Sequence, residues 1–165
     1  LVDLDAFKSV NDRHGHRTGD LVLVETARRL QGALRRSDFL VRWGGEEFLV
    51  VARASDRRQA DVQARRLLDA VGGTPYSLGD VSLVQTCSIG WAPFPWVEER
   101  PRDATIEEVL GFADRALYEA KRSGRNCTVG YVPAGGAGRD AEGESFEERP
   151  GLVVDVVRTE GPRTG

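Results

Sequence analysis

The run Gly44-Gly45-Glu46-Glu47 sets two carboxylates on a bend whose glycines tolerate positive φ and close backbone approach. A ligand can lie against such a turn, although an ordinary surface hairpin also carries glycines and acids, and the surroundings have to separate the two. Those surroundings begin at Leu1-Val2-Asp3-Leu4-Asp5, where apolar and acidic residues alternate as in a strand that projects Asp3 and Asp5 to one side and Leu4 to the other. A sheet that sets this strand beside the bend gathers Asp3, Glu46 and a backbone carbonyl into an all-oxygen cluster. Without a cation the cluster is repulsive; with one it suits Mg²⁺, or Mn²⁺, which prefers oxygen ligands and shares phosphate oxygens of a substrate.

The bulk composition narrows what such a cluster serves. A chain of 165 residues fits one domain with one core, and 40% hydrophobic and 30% charged residues with a net charge of -3 describe a soluble globular protein. No basic excess points to nucleic acid as a partner, so positive charge for a nucleotide has to be local or come from a metal ion. A P-loop NTPase is excluded: the G-x-x-x-x-G-K-[ST] run is missing, and the only lysines are Lys8 and Lys121. The chain contains no methionine and opens in mid-strand, as a fragment of a longer protein does. No stretch approaches the ~18 apolar residues of a membrane span, and no signal peptide heads the sequence. The expected location is the cytoplasm, with any membrane anchor lying upstream. Cys87 and Cys127 sit in apolar strand-like runs without C-x-x-C spacing and read as buried free thiols.

Periodicity gives the elements that must carry these residues. Asn11, Gly15 and Gly19 mark a short broken segment, after which Leu23, Ala27, Leu30 and Leu34 predict an amphipathic helix over roughly 19–35. Phe39 to Trp43 and Phe48 to Ala52 predict two strands around the glycine turn. A helix over 57–71 ends at Gly72-Gly73, a β-rich run spans Val81 to Gly90, and Pro93 and Pro95 break regular structure beyond it. Thr105 and Glu108 form a capping-box signature ahead of Val109, Ala113, Leu117 and Ala120, with Gly124 as the stop and a last strand near Asn126 to Val132. From Pro133 the composition turns to Gly, Glu, Arg and Pro, apart from the short Leu152 to Val157 run, and reads as a flexible tail over 133–165. The whole predicts an α/β (α+β) domain over 1–132, with a mixed central sheet flanked by helices.

Taken in order, Asp3-Leu4-Asp5-Ala6-Phe7-Lys8, Asn11-Asp12, Gly15-His16, Gly19-Asp20, Gly44-Gly45-Glu46-Glu47-Phe48, Ala116-Leu117-Tyr118-Glu119-Ala120-Lys121 and Gly124-Arg125-Asn126 resemble the GGDEF family of diguanylate cyclases, in its GGEEF variant. The resemblance runs over residues 1 to about 130. It implies a ferredoxin-like, nucleotidyl-cyclase palm-like fold, here N-terminally truncated because the family's leading helix and D-x-L-T-G-L-x-N-R-R-like segment are not in this sequence. It also implies that two GTP are joined into cyclic di-GMP with release of two pyrophosphates. Asp3, Glu46 and the Leu4 carbonyl would hold the metal, and Glu46 or Glu47 would help deprotonate the attacking hydroxyl. Asn11 and Asp20 would pair with the guanine edge, which offers donors at N1 and N2 and an acceptor at O6. Phe7, Lys8, His16, Gly44, Gly45, Lys121 and Arg125 would line the substrate site, the cations neutralising the triphosphate; His16 in a Gly-His-Arg turn is equally a structural hydrogen-bonder, and a basic residue beside Gly124 also suits a helix C-terminus.

Arg35-Arg36-Ser37-Asp38 places an R-x-x-D motif five residues, Phe39 to Trp43, ahead of Gly44. That offset matches the family's product-inhibition site, to which Arg66 would add a further arginine; arginine forks suit phosphate and the guanine Hoogsteen edge. The resemblance further implies an antiparallel homodimer, each domain holding one GTP, under the control of an upstream sensory or receiver domain. The competing readings are a catalytically silent module that binds cyclic di-GMP as a receptor, and a nucleotidyltransferase of another specificity. The intact Asp3, Glu46 and Glu47 oppose the first, and Asp20 opposes adenine.

Overall fold

The computed structural model describes residues 1–53, 57–96, 102, 104–133, 145–149 and 152–162. Seven strands make the main sheet in the order β2-β3-β1-β6-β7-β9-β8. They are β1 (Val2–Leu4), β2 (Phe39–Arg42), β3 (Glu47–Val51), β6 (Cys87–Trp91), β7 (Cys127–Pro133), β8 (Ser145–Arg149) and β9 (Leu152–Glu160), while β4 (Tyr76–Leu78) and β5 (Val81–Leu83) form a separate hairpin. Only β6 and β7 pair in parallel, so the sheet is mixed, as expected. The parallel pair is joined by a crossover through α4 (Ile106–Arg122), the connection that parallel strands require.

Alternation on the central strands divides the molecule into two cores. Val2, Leu4, Phe48, Cys87 and Ile89 face α2 (His16–Ala33) and α3 (Arg57–Gly72), where Val22, Leu30, Leu67, Leu68 and Val71 are buried against them. On the opposite face Phe112, Ala116 and Ala120 of α4 pack on Val129 and Tyr131. Gly90 permits the closest approach there: a Cβ on it would lie 2.1 Å from the Ala113 carbonyl oxygen and 2.1 Å from the Leu117 nitrogen. The capping box forms as predicted, Thr105 Oγ1 accepting from the Glu108 N–H at 3.2 Å and Glu108 Oε2 from the Thr105 N–H at 2.8 Å. Both cysteines are buried and free.

Four expectations change. Residues 7–14, expected as a broken segment, form helix α1 (Phe7–His14), and α2 begins at His16 rather than 19. Gly15, at φ 80°, is the real break, whereas Gly19 is buried inside α2 because Asn11 and Phe7 of α1 press on it; a Cβ there would sit 2.0 Å from Asn11 Oδ1. The strand β1 is buried throughout, Asp3 included, and Lys121 of α4 reaches over its acidic side. The β-rich run over 81–90 is two strands, β5 and β6, and β5 pairs with β4 instead of joining the main sheet. Finally, the stretch assigned to a tail supplies β8 and β9, and β9 pairs along all of β7, from Cys127↔Glu160 to Pro133↔Val154. Its Leu152-Val153-Val154-Asp155-Val156-Val157 run is rich in β-branched residues, and β7 offers it an open edge.

Candidate active site

Strand pairing brings the acids together. In the antiparallel β1–β3 register Asp3 stands opposite Glu47, and the Leu4 N–H donates to the Glu46 carbonyl at 3.3 Å. The turn between β2 and β3 is closed by the Glu47 carbonyl, which accepts from Trp43 N–H at 2.8 Å and Gly44 N–H at 3.3 Å. A Cβ on Gly44 would lie 2.8 Å from Glu47 Oε2, the movable end of that side chain. Gly45 has nothing within 4 Å of such a Cβ, so its side of the turn is open.

Asp3 is only 7% exposed, and its carboxylate meets the Lys121 ammonium of α4 at 2.7 Å. Glu46, half-buried beside it, has its carboxyl pushed above the ordinary value, first by burial, then by the negative charge of Asp3, with Glu47 adding to it and Lys121 opposing. The Lys121 ammonium that pairs with Asp3 thus also acts on Glu46, against the charges of Asp3 and Glu47. Among the described residues no group of three or more His, Cys, Asp or Glu side chains is arranged as a complete metal cage. Two carboxylates that repel each other fit a hard divalent ion which completes its shell with phosphate or water. Asp3 and Glu46 are the side chains that could hold such an ion.

A hollow between α2 and the β2–β3 hairpin lies next to the turn, lined by Asp20, Leu23, Ala27, Leu40, Arg42 and Phe48 among others. Asp20 is exposed at its edge. Asn11 of α1 lies against Gly19, the residue before Asp20 in α2, and the lining of the hollow includes Asp20 but not Asn11. His16 is exposed at the α1–α2 joint, and Lys8 is exposed at the start of α1. Phe7 is 5% exposed and belongs to the core on the α2–α3 side of the sheet.

Two residues that motif reasoning missed organise this site. Arg42 donates through Nε and Nη2 to the Gly45 carbonyl at 3.2 and 2.7 Å, stapling the turn while its stem lines the hollow. Its place in β2, two residues before the glycines, was the available signal. Asp5, just past β1, accepts from Thr86 Oγ1 at 2.7 Å, Ser88 Oγ at 2.7 Å and the Asn126 N–H at 3.0 Å. It binds β1 and β6 to the Gly124-Arg125-Asn126 turn, in which all three residues have positive φ. Arg125 is exposed on that turn, past Lys121.

The R-x-x-D corner is built differently. Asp38, 8% exposed, accepts from the Arg35 N–H at 2.8 Å and the Arg53 N–H at 3.2 Å, so its carboxylate shapes the loop. Arg35 is exposed, and Arg66 donates to the Ala33 carbonyl at the end of α2, which brings both arginines to one corner.

Residues 1–127 match the family described as diguanylate cyclase, GGDEF domain. The chain is similar to the diguanylate cyclase DgcP of Pseudomonas aeruginosa, with 39% identity over 126 residues, 76% of this chain and 18% of the relative. Among solved structures it is similar to the GGDEF domain of DgcB from Caulobacter crescentus in complex with c-di-GMP, at 29% identity and a TM-score of 0.67, covering 76% of this chain and 71% of that one. It is likewise similar to the active GGEEF domain of a diguanylate cyclase from Vibrio cholerae, at 30% identity and a TM-score of 0.66, covering 76% of each. The chain spans less than half the length of the curated relatives it matches. No helix among the described residues is long and apolar enough to cross a membrane.

Proposed function

Since this chain belongs to the GGDEF family of diguanylate cyclase domains, we propose that it condenses two GTP into cyclic di-GMP with release of two pyrophosphates. The observation that carries the reading is the crowding of Glu46 and Asp3 around one ammonium, which a divalent cation relieves. Mg²⁺, when bound by Asp3, Glu46 and the Leu4 carbonyl, supplies positive charge to the α-phosphate and to the departing pyrophosphate.

The chain's own groups account for the remaining tasks. Asn11 and Asp20 present an amide and a carboxylate to a guanine seated in the hollow beside α2, the carboxylate accepting from N1 and N2. Arg42 keeps the Gly44-Gly45 turn in place, and the open side of Gly45 leaves room for the substrate. Lys121 exchanges its partner: the ammonium that answers Asp3 becomes available to phosphate once the acids hold a cation. Arg125 and Lys8 add charge at the exposed rim. Glu46 or Glu47 helps to take the proton of the ribose 3′ hydroxyl. The 3′ oxygen then attacks the α-phosphorus of the GTP on a second domain, and the bond to the β-phosphate breaks. The two domains face each other antiparallel, so proximity sets the rate and an upstream domain can control it. Arg35 and Arg66 form the inhibitory corner for the product, with Asp38 holding the loop that presents Arg35.

The test is to fuse the chain to a dimerising coiled coil, incubate it with GTP and Mg²⁺, and measure cyclic di-GMP. Wild type is expected to form product and Glu46→Ala to form none at unchanged fold. Absence of product from wild type with cyclic di-GMP binding retained would instead establish the receptor module.

A further inference from the structure

The family match ends at residue 127, yet residues beyond it close on the site. Gly124, Arg125 and Asn126 turn the chain from α4 into β7 with φ of 111°, 65° and 46°. Two consecutive non-glycine residues in the left-handed region persist only where their surroundings hold them. Three hydrogen bonds act on Asn126. One comes from Asp5, which accepts its N–H at 3.0 Å. The other two come from the exit of β9: the Gly161 N–H donates to the Asn126 carbonyl at 2.7 Å, and Asn126 Nδ2 donates to the Pro162 carbonyl at 2.8 Å. The fit is close, since a Cβ on Gly161 would stand 2.3 Å from Asn126 Oδ1 and 2.5 Å from its carbonyl oxygen. The strand that delivers this exit is anchored along β7 and, through Arg158, to Glu119 of α4, which the Tyr131 hydroxyl also binds at 2.8 Å.

We propose that the exit of β9, Gly161-Pro162, is a positioning element for Arg125: by gripping Asn126 it holds the left-handed turn that presents the guanidinium to the triphosphate. Removing the grip lets the turn relax toward ordinary φ and carries Arg125 away from the phosphate end of the site. The inference rests on the reading of Arg125 as a phosphate contact, and the two can be separated. The dissociation constant of GTP, with Ca²⁺ in place of Mg²⁺ to prevent turnover, is measured by calorimetry on the full chain and on Gly161→Ala, Asn126→Gly, Arg125→Ala and each double variant. Gly161→Ala has no room for its methyl, and Asn126→Gly removes the amide while keeping a residue that accepts positive φ.

Each of the two is expected to weaken GTP binding about three- to tenfold, and to add nothing further when Arg125 is already alanine, the coupling expected of residues that act as a unit. Thermal melts show which variants are folded at the assay temperature, and Asn126→Gly carries the test if Gly161→Ala is not. Unchanged affinity in both, or an equal loss with and without Arg125, would overturn the positioning role and leave β9 a structural edge strand. If Arg125→Ala itself binds GTP as wild type does, it is the phosphate reading that fails.

Discussion

Asp3 and Asp38 are 7% and 8% exposed, and they are held in opposite ways. Asp38 accepts two backbone N–H groups, from Arg35 and Arg53, in a loop that depends on both bonds. Its burial is compensated locally. Asp3 is compensated by one flexible ammonium from another element and stands beside Glu46, whose proton affinity it raises. Burial with complete hydrogen bonding builds structure, whereas burial with incomplete compensation leaves a charge ready for a ligand. Two aspartates alike in exposure are therefore compensated differently, Asp38 by backbone N–H groups of its own loop and Asp3 by an ammonium from another element.

The strongest way to break this comparison is to neutralise each aspartate in turn. Asp3→Asn is expected to lower turnover by roughly 10²–10⁴, since a metal contact contributes several kcal/mol in the transition state. Its melting temperature should change little, because the variant removes both the repulsion of Glu46 and the ion pair with Lys121. Asp38→Ala is expected to do the reverse. Two stranded N–H groups cost about 2–4 kcal/mol together, a fall of roughly 5–15 °C in Tm by thermal melt, with synthesis at a permissive temperature largely kept. Loss of stability in Asp3→Asn, or none in Asp38→Ala, would erase the distinction.

Glu46→Gln sharpens it by pH. The folded carboxyl of Glu46 titrates above its ordinary value of 4.5, so the native state holds that proton more tightly than the unfolded chain. The stability this contributes is present in full below the unfolded value and is lost as pH rises through the folded one. At neutral pH without divalent ions, Glu46→Gln should therefore melt slightly higher than wild type, by about a degree or two for a partly exposed group. The difference should vanish on acidification below the ordinary carboxyl range and also on adding Mg²⁺ to wild type. The smallest effect on synthesis is expected from Arg35→Ala: unchanged initial rate, with product inhibition relieved in progress curves.

Much of this was legible in the linear sequence where a signal is local. The glycine turn, the capping box at Thr105, the helical stripe of α4 and the paired strands around Gly44 each rest on spacings of a few residues, and each formed as the spacing predicts. Signals failed where a residue's reason is a distant neighbour. Gly19 resembles a breaker in sequence but is a contact point for Asn11. The 152–160 stretch lies in polar, glycine-rich sequence but completes the edge of β7, because an unpaired edge rewards a β-branched strand wherever the chain supplies one.

By itself the sequence determined which chemistry was available: acids on a glycine turn, an amide and a carboxylate suited to guanine, and lysines outside any P-loop spacing. Residue types fix donors, acceptors and charges, and order along the chain fixes local turns. Only the tertiary structure decided which acids share a site and which are satisfied. It placed Asp3 across from Glu47, gave Lys121 to Asp3, and bound Asp5 and Asp38 into hydrogen bonds with the groups around them. The physical reason is that burial, and the field of neighbouring charges, belong to positions in space, which strands far apart in sequence create only when they pair.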